Sequence, residues 1–472
     1  MSIITDEFDK ICQVNSNKVA FYYERHGKIV SKTYLELYQE VISIATALTQ
    51  NGISTKHRLL AFASPDYNLL IYMLAAFKIG ASVMYVDIFA KQDSLKNFFD
   101  EYHPNYVLVS NKTKLVKPFF KIIRKSKIIN VDKPPKSSKA LKPIAIDNTT
   151  PALITSTTGS SSKPKAFIRT HEDLYHQLTL IRNNLKPISD DEIVLATSYI
   201  YAFANLIQGI TTVLPNVNLS LNKRPVHVTK KLNLFSTLYI TTIMTSPDFC
   251  LNTPNLYPHL KRLYFGGAIL NYHEATKIRA KFKNTEIWYI YGSTECSLIS
   301  GVDLNDYLDT LYKTNQCFLG NICKGVKVLI NKNNHILVQS DALLKQSLSG
   351  KNTKDYHDTN DIGKLSHGNL YYLGKGGTKV TIRGKNYYAN EIEQQIVLKF
   401  PILSKCAICE YAGTNYAFLE GDVNTEEIKR YLKTEFNITE IIKLHQIPRD
   451  VKHHTKINYQ RLQQICQKAK QN

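Results

Sequence analysis

A layered α/β architecture, large at the N-terminal side and ending in a small α+β unit, is predicted from three observations. Short apolar runs alternate with helix-forming stretches from Tyr34 to about Ile290, which implies parallel strands with helices packed on the sheet faces. Beyond Gly320 the pattern changes to short β-type segments, KVLI, HILVQ and LYYLG, read as a small β subdomain. Three glycines in the four residues Gly374–Gly377 then precede a last stretch of 95 residues with α and β segments of its own. A chain of 472 residues exceeds one ordinary core, so roughly two to four domains or subdomains are expected. The division predicted is 1–373, a hinge at 374–377, and a mobile unit at 378–472.

Taken in order, residues 18–31 alternate around a glycine and read as a hairpin. A helix is expected from Tyr34 to about Gln50, before Asn51–Gly52. Strands follow at Arg58–Phe62, Ser82–Val86 and Tyr106–Ser110, separated by helices at Asn68–Lys78 and Gln92–Tyr102. The lysine-rich passage with Pro134–Pro135 reads as a loop, and Glu172–Asn184 as a helix. Further strands are expected near Val194–Thr197, Tyr239–Thr245, Arg262–Phe265 and Glu286–Tyr289.

Composition narrows the function classes. The net charge is +21, with basic residues concentrated at 112–142. Such a block can attract nucleic acid, anionic lipid or a phosphorylated carrier. No aromatic stacking pattern or nucleic-acid module accompanies it, so no nucleic-acid partner is expected and the block reads as solvated surface. Polyanionic substrates would still gain from the field. Eight cysteines are sparse and irregularly spaced, and Cys406 and Cys409 read as a reduced, packed pair, so a reducing, cytoplasmic location is expected. The acidic N-terminus carries no secretory pattern, and the longest apolar run, Leu69–Phe77, is too short to span a bilayer.

The chemistry centres on TSTTGSSSKPK, Thr155 to Lys165. Seven of its first eight residues carry a hydroxyl, and the exception is Gly159. Glycine permits a turn in which successive N–H groups point inward; hydroxyls and lysine can then hold phosphoryl oxygens. Taken alone, the same residues also make a solvated Ser/Thr linker. The spacing is not that of a Walker loop.

Downstream motifs decide between these. FGGAIL at 265–270, YGSTE at 291–295, TND at 359–361, GKGG at 374–377, ANEIE at 389–393 and HHTKINY at 453–459 follow in order. Together with the loop they resemble the signatures of the adenylate-forming (AMP-binding) superfamily, which includes acyl-CoA synthetases and the adenylation domains of peptide synthetases. The resemblance implies a ligase that uses ATP and Mg²⁺. It implies that Thr157, Thr158, Gly159, Ser160, Ser161, Ser162 and Lys165 cradle the β- and γ-phosphates, although Ser162 and Ala166 stand where glycine is usual. Gly266, Gly267 and Ala268 would lie against adenine, with Tyr291 stacking on it beside Gly292. Thr294 would reach the α-phosphate and Glu295 would hold Mg²⁺, a hard cation that takes oxygen ligands. Asp361 would accept the ribose hydroxyls, with Asn360 in place of glycine, and Lys375 would replace the usual hinge arginine. Lys456 would be the catalytic lysine that reaches the α-phosphate and the substrate carboxylate. Gly377 and Thr381 stand where the family has Asp and Lys, which alters the hinge.

Amino-acid-activating relatives carry an Asp for the substrate ammonium. The comparable stretch here, SYIYAFANLIQG, places Ala204 after Phe203, and an unpaired ammonium in an apolar pocket is costly. An apolar acid, fatty or aryl, is therefore expected, with Tyr199, Tyr201, Phe203 and Trp288 as pocket candidates. The histidine common near this position in acyl-CoA ligases is missing. Coenzyme A is the expected thiol acceptor, with the phosphopantetheine arm of an acyl or peptidyl carrier protein as the alternative. A catalytically weak nucleotide-binding paralogue is a third reading, prompted by Gly377 and Thr381 and opposed by Glu295, Asp361 and Lys456.

Overall fold

The structure is a computed structural model that describes all residues except 1, 87–91, 117–125, 136, 138, 158–164, 186, 218–224, 349–354, 422–425, 450–455 and 472. Local signals place most elements. The helix Tyr34–Gln50 starts on a reciprocal cap: the Glu36 N–H donates to Thr33 Oγ1 at 3.1 Å, and the Thr33 N–H donates to Glu36 Oε2 at 2.8 Å. It buries Leu37, Val41, Ile44 and Leu48, the stripe expected of a helix with one face on a core. The helix Tyr67–Lys78 is buried along its length, and its terminal Lys78 is compensated by Asp9 at 2.7 Å. Among the described residues no helix is long and apolar enough to cross a membrane.

Two sheets carry the first 375 residues. The larger has thirteen strands. Its parallel half runs through Glu286–Ser293, Arg262–Gly266, Thr242–Thr245, Ile193–Ala196, Thr211–Leu214 and Val19–Arg25, with Lys28–Thr33 closing the hairpin at the edge. Its antiparallel half continues from Ser297–Asp303 through Cys317–Ile322, Asn369–Lys375, His357–Ser366 and His335–Ser340 to Val326–Ile330. The β segments expected after Gly320 are thus present, but they extend the large sheet and form no sheet of their own. Their alternating burial pairs them edge to edge with a sheet already there.

The smaller sheet has seven strands, with Ser82–Tyr85, Arg58–Phe62 and Tyr106–Val109 in the middle and Pro151–Thr157, Lys165–Thr170 and Gln346–Ser347 at one side. The last of these pairs returns the chain from the large sheet to the small one: Gln346 and Ser347 lie opposite Ile168 and Phe167.

After the turn Gly376–Gly377 the chain builds a two-stranded and a three-stranded sheet with helices Ala389–Lys399, Glu426–Phe436 and Tyr459–Gln471. Its apolar cluster, including Ile392, Ile396, Leu403, Leu419 and Leu432, is separate from the main one. Cys406 and Cys409 are both buried but do not form a pair. Three residues apart on one strand, they leave opposite faces: Cys406 joins the cluster of Ile392, and Cys409 joins that of Leu462 and Cys466.

Contacts between this unit and the rest are polar and specific. Lys405 Nζ lies 2.6 Å from Glu274 Oε1 with both side chains largely buried, Asn271 Nδ2 donates to the Ser404 carbonyl at 3.2 Å, and His273 Nε2 lies 2.9 Å from the Val397 carbonyl. Inside the unit, Glu393 of the ANEIE segment is buried. Its Oε1 accepts from the Ile408 N–H at 2.8 Å and from the Tyr459 hydroxyl at 2.7 Å.

Burial pushes the Glu393 carboxyl up to about 7 from 4.5. Between these values the folded chain binds more protons than the unfolded one, so this group's contribution to stability falls as pH rises from about 4.5 to 7, by about 3 kcal/mol. Chemical denaturation at pH 5 and pH 7.5 should therefore show a larger pH-dependent loss in wild type than in Glu393→Gln. An equal loss in both would remove Glu393 as the source.

Candidate active site

The described site residues gather where the two sheets meet. The strand Glu286–Ser293 delivers Tyr291 and Gly292, and the chain turns at Thr294–Cys296 into the antiparallel strand Ser297–Asp303. Gly292 is required by a close approach: a Cβ there would sit 1.8 Å from the Ser297 carbonyl oxygen. Gly266, at the end of the neighbouring strand, is pressed in the same way against the Ile290 carbonyl at 2.3 Å. Gly267 takes a φ of 108°, and the Ala268 carbonyl accepts from the Tyr289 hydroxyl at 2.7 Å, fixing this small-residue turn on the strand beside it.

Asp361 is gripped from two sides. The Tyr291 hydroxyl donates to its Oδ2 at 2.8 Å and Lys375 Nζ donates to its Oδ1 at 2.7 Å. Each carboxylate oxygen keeps a second lone pair, so two further hydroxyl donors can be accepted. Burial and the Asp361 charge hold the Tyr291 hydroxyl well above its usual range, so it stays a donor. Asn360 has a φ of 56°, the left-handed conformation its short side chain tolerates. Its carbonyl accepts the Gly376 N–H at 2.7 Å, and a Cβ on Gly376 would meet Asn360 Oδ1 at 2.2 Å. Gly377 turns the chain at φ 84°, and Thr378 closes the turn onto Lys375. The glycine stretch is thus a hydrogen-bonded turn directly behind Asp361.

Thr294 and Glu295 are held by their backbone. The Thr294 carbonyl accepts from Arg169 Nη2 at 3.0 Å, and the Glu295 carbonyl accepts the Leu344 N–H at 2.9 Å. The Glu295 carboxylate is 17% exposed, with His357 Nε2 at 4.0 Å from its Oε1. Among the described residues no group of three or more His, Cys, Asp or Glu could hold a metal. A lone carboxylate of this kind fits a Mg²⁺ that arrives on nucleotide phosphates, because Mg²⁺ keeps waters and phosphate oxygens and needs only one or two protein carboxylates.

Not every expected residue is brought here. Thr158, Gly159, Ser160, Ser161 and Ser162 lie outside the described residues, as do His453 and His454; Thr157 and Lys165 end the two strands that flank the loop. Lys456 lies in the C-terminal unit with an exposed side chain, next to Ile457, which bridges to Arg449, and three residues before the Tyr459 held by Glu393.

The aromatic pocket candidates sit in different surroundings. Phe203 is core, packed on Phe77 and Tyr199 with ring centroids at 6.0 and 6.1 Å. Trp288 sits near the start of its strand, its indole N–H donating to Glu286 Oε1 at 2.7 Å. It is three residues from Tyr291, so the two side chains leave opposite faces. Tyr201 is half-buried, and burial pushes its hydroxyl up to about 12.

Arg169 and Gln177 were not legible as site residues in the motifs. A signal existed: Arg169 is a charge directly after the apolar run Ala166–Ile168, and Gln177 interrupts the buried helix stripe Leu174, Leu178, Ile181.

With this geometry in hand, comparison with known proteins is direct. The family described as AMP-binding enzyme matches residues 8–330, more than half of the chain. The chain belongs to the AMP-binding enzyme family. Bacitracin synthase 2 of Bacillus licheniformis is 20% identical over 458 residues, covering 89% of this chain and 17% of that protein. The D-alanine–D-alanyl carrier protein ligase of Staphylococcus epidermidis is 21% identical over 398 residues, 77% of each chain. Among solved structures, o-succinylbenzoate CoA synthetase from Bacillus subtilis, in complex with its acyl-adenylate intermediate, superposes with a TM-score of 0.79 at 17% identity over 97% of both chains. This AMP-binding enzyme therefore has the adenylate-forming fold, a large multi-sheet region followed by a smaller C-terminal one. It spans less than a fifth of the length of the first curated relatives it matches.

Gly292→Ala should force the Ser293–Ser297 turn open and destabilise the fold by about 2–4 kcal/mol. Denaturant unfolding measures this, and a variant as stable as wild type would refute the close approach.

Proposed function

We propose that this chain is an ATP-dependent acid–thiol ligase that converts a carboxylic acid, fatty or aryl, to its acyl-adenylate and passes the acyl group to coenzyme A. The observation that carries the reading is the double grip on Asp361 by Tyr291 and Lys375, beside the Thr294–Glu295 turn, in a chain of the AMP-binding family.

In this reading the Asp361 carboxylate accepts the ribose hydroxyls, and Lys375 holds it in place. The phosphate loop, from Thr157 to Lys165, and Thr294 surround the triphosphate, with Glu295 as the carboxylate for Mg²⁺. Bound there, Mg²⁺ supplies charge neutralisation on the phosphates. The substrate carboxylate oxygen attacks the α-phosphorus, and the bond from that phosphorus to the bridging oxygen breaks as pyrophosphate leaves. Lys456 stabilises the charge that develops between the two anionic reactants. A thiol sulfur then attacks the acyl carbon, the thiol proton passes to solvent, and AMP leaves with the electron pair of the broken acyl–oxygen bond. The turn at Gly376–Gly377 is the pivot that changes which face of residues 378–472 meets the site.

The helix Tyr199–Leu206 contains no acidic residue, and Ala204 is buried, which supports an acid without an α-ammonium. A second reading, loading of a carrier-protein phosphopantetheine, is favoured by the likeness over 77% of its length to a carrier protein ligase.

Carboxylate-dependent ATP–pyrophosphate exchange across a panel of fatty, aryl and amino acids tests the proposal. Exchange should appear with an apolar acid and fall by about 10²-fold or more in Lys456→Ala. No exchange with any acid, or exchange unchanged in Lys456→Ala, would overturn it. Adding coenzyme A or an acyl carrier protein to the best acid then separates the acceptors.

A further inference from the structure

We propose that Arg169 and Gln177 are positioning residues that set the distance between the strand Pro151–Thr157, which leads into the Ser/Thr-rich stretch, and the Thr294–Glu295 turn, a role that rests on the ligase reading above. Arg169 is on the strand Lys165–Thr170 of the small sheet, and Gln177 is on the helix that follows it. Both side chains are almost fully buried. Every nitrogen of the guanidinium is used in a different direction. Nε donates to Gln177 Oε1 at 2.7 Å, Nη1 to Thr155 Oγ1 at 2.6 Å, and Nη2 to the Thr294 carbonyl at 3.0 Å. Thr155 is on the strand that enters the loop, and Thr294 belongs to the large sheet's turn.

The planar fork therefore spans from one sheet to the other, between the strand Pro151–Thr157 and the Thr294–Glu295 turn. Gln177 completes it. With Oε1 occupied by Arg169, its amide N–H₂ faces the Ala342 carbonyl at 3.1 Å and the Glu295 carbonyl at 3.4 Å. The segment after Ala342 then pairs with the small sheet through Gln346–Ser347.

Burial lowers the guanidinium to about 10, opposed by the charges of Glu295 and Asp173, so it remains a cation at neutral pH. A lysine ammonium donates from a single nitrogen and cannot reproduce three donors on the separate nitrogens of a planar fork. If Arg169 were lost, the Thr294 carbonyl and Thr155 hydroxyl would lose a charged donor and the turn would be free to move relative to the loop. A ligand that spans both elements would notice. One that touches neither would not.

The experiment is titration of the full chain with MgATP by calorimetry, and with adenosine by ligand-observed NMR, for wild type, Arg169→Lys and Thr155→Val. Arg169→Lys should weaken MgATP binding by roughly tenfold or more, Thr155→Val by a few-fold, and both should leave adenosine affinity within about twofold. The milder Thr155→Val carries the test if Arg169→Lys does not fold. Unchanged MgATP affinity in the folded variants would overturn the inference, as would parallel losses for MgATP and adenosine, which a general destabilisation produces. Wild-type protein that binds no MgATP would overturn the ligase reading and this inference with it.

Discussion

The arrangement of the site depends on one buried cation. Two sheets of different size and strand direction meet here, and the short ladder at Gln346–Ser347 belongs to the small sheet alone. Arg169 supplies what that ladder cannot. A guanidinium taken out of water is tolerated only where its donors find acceptors, and these acceptors are drawn from Thr155, Gln177 and Thr294 together. The partners are thereby fixed relative to one another. The requirement that stabilises the junction also aligns the strand Pro151–Thr157 with the Thr294–Glu295 turn.

Asp361 is the corresponding anchor on the other side. Its carboxylate joins the strand Glu286–Ser293, through Tyr291, to the strand Asn369–Lys375, through Lys375. The chain then leaves through a turn in which Gly376 is crowded by Asn360 and Gly377 needs a left-handed φ. The substitution of glycine for the family's aspartate thus keeps a compact turn. Beyond it, Glu393 holds Tyr459, and so the segment bearing Lys456, to its own helix, while Lys405 and Glu274 tie the unit to the main body. Two buried polar contacts therefore govern where the C-terminal lysine can stand.

Much of this was legible in the residues. The helix at Tyr34–Gln50 carries a cap, an apolar stripe and an Asn–Gly exit, so all its local signals agree. The alternation of strands and helices up to Tyr289 likewise appears, its first part in the parallel strands of the small sheet and its second in the parallel half of the large one. The site was legible where a motif dictates backbone geometry: Gly292 and Gly266 face carbonyls at distances that exclude a Cβ. It was not legible where side-chain direction matters. Strand alternation turns Trp288 away from Tyr291, and helix packing seats Phe203 in the core, neither of which residue type alone reveals. Cys406 and Cys409 were separated by the same alternation.

The sequence by itself determined the family and the order of the elements, because hydrophobic period, glycine placement and motif order are local properties of the chain. Only the tertiary structure decided that the strands after Gly320 complete the large sheet, that Asp361 is shared by Tyr291 and Lys375, and that Arg169 braces the loop strand against Thr294. These depend on contacts between residues as far apart as 125 positions. No local pattern encodes such a partner, and it is selected by the need to satisfy a buried charge once the sheets have packed.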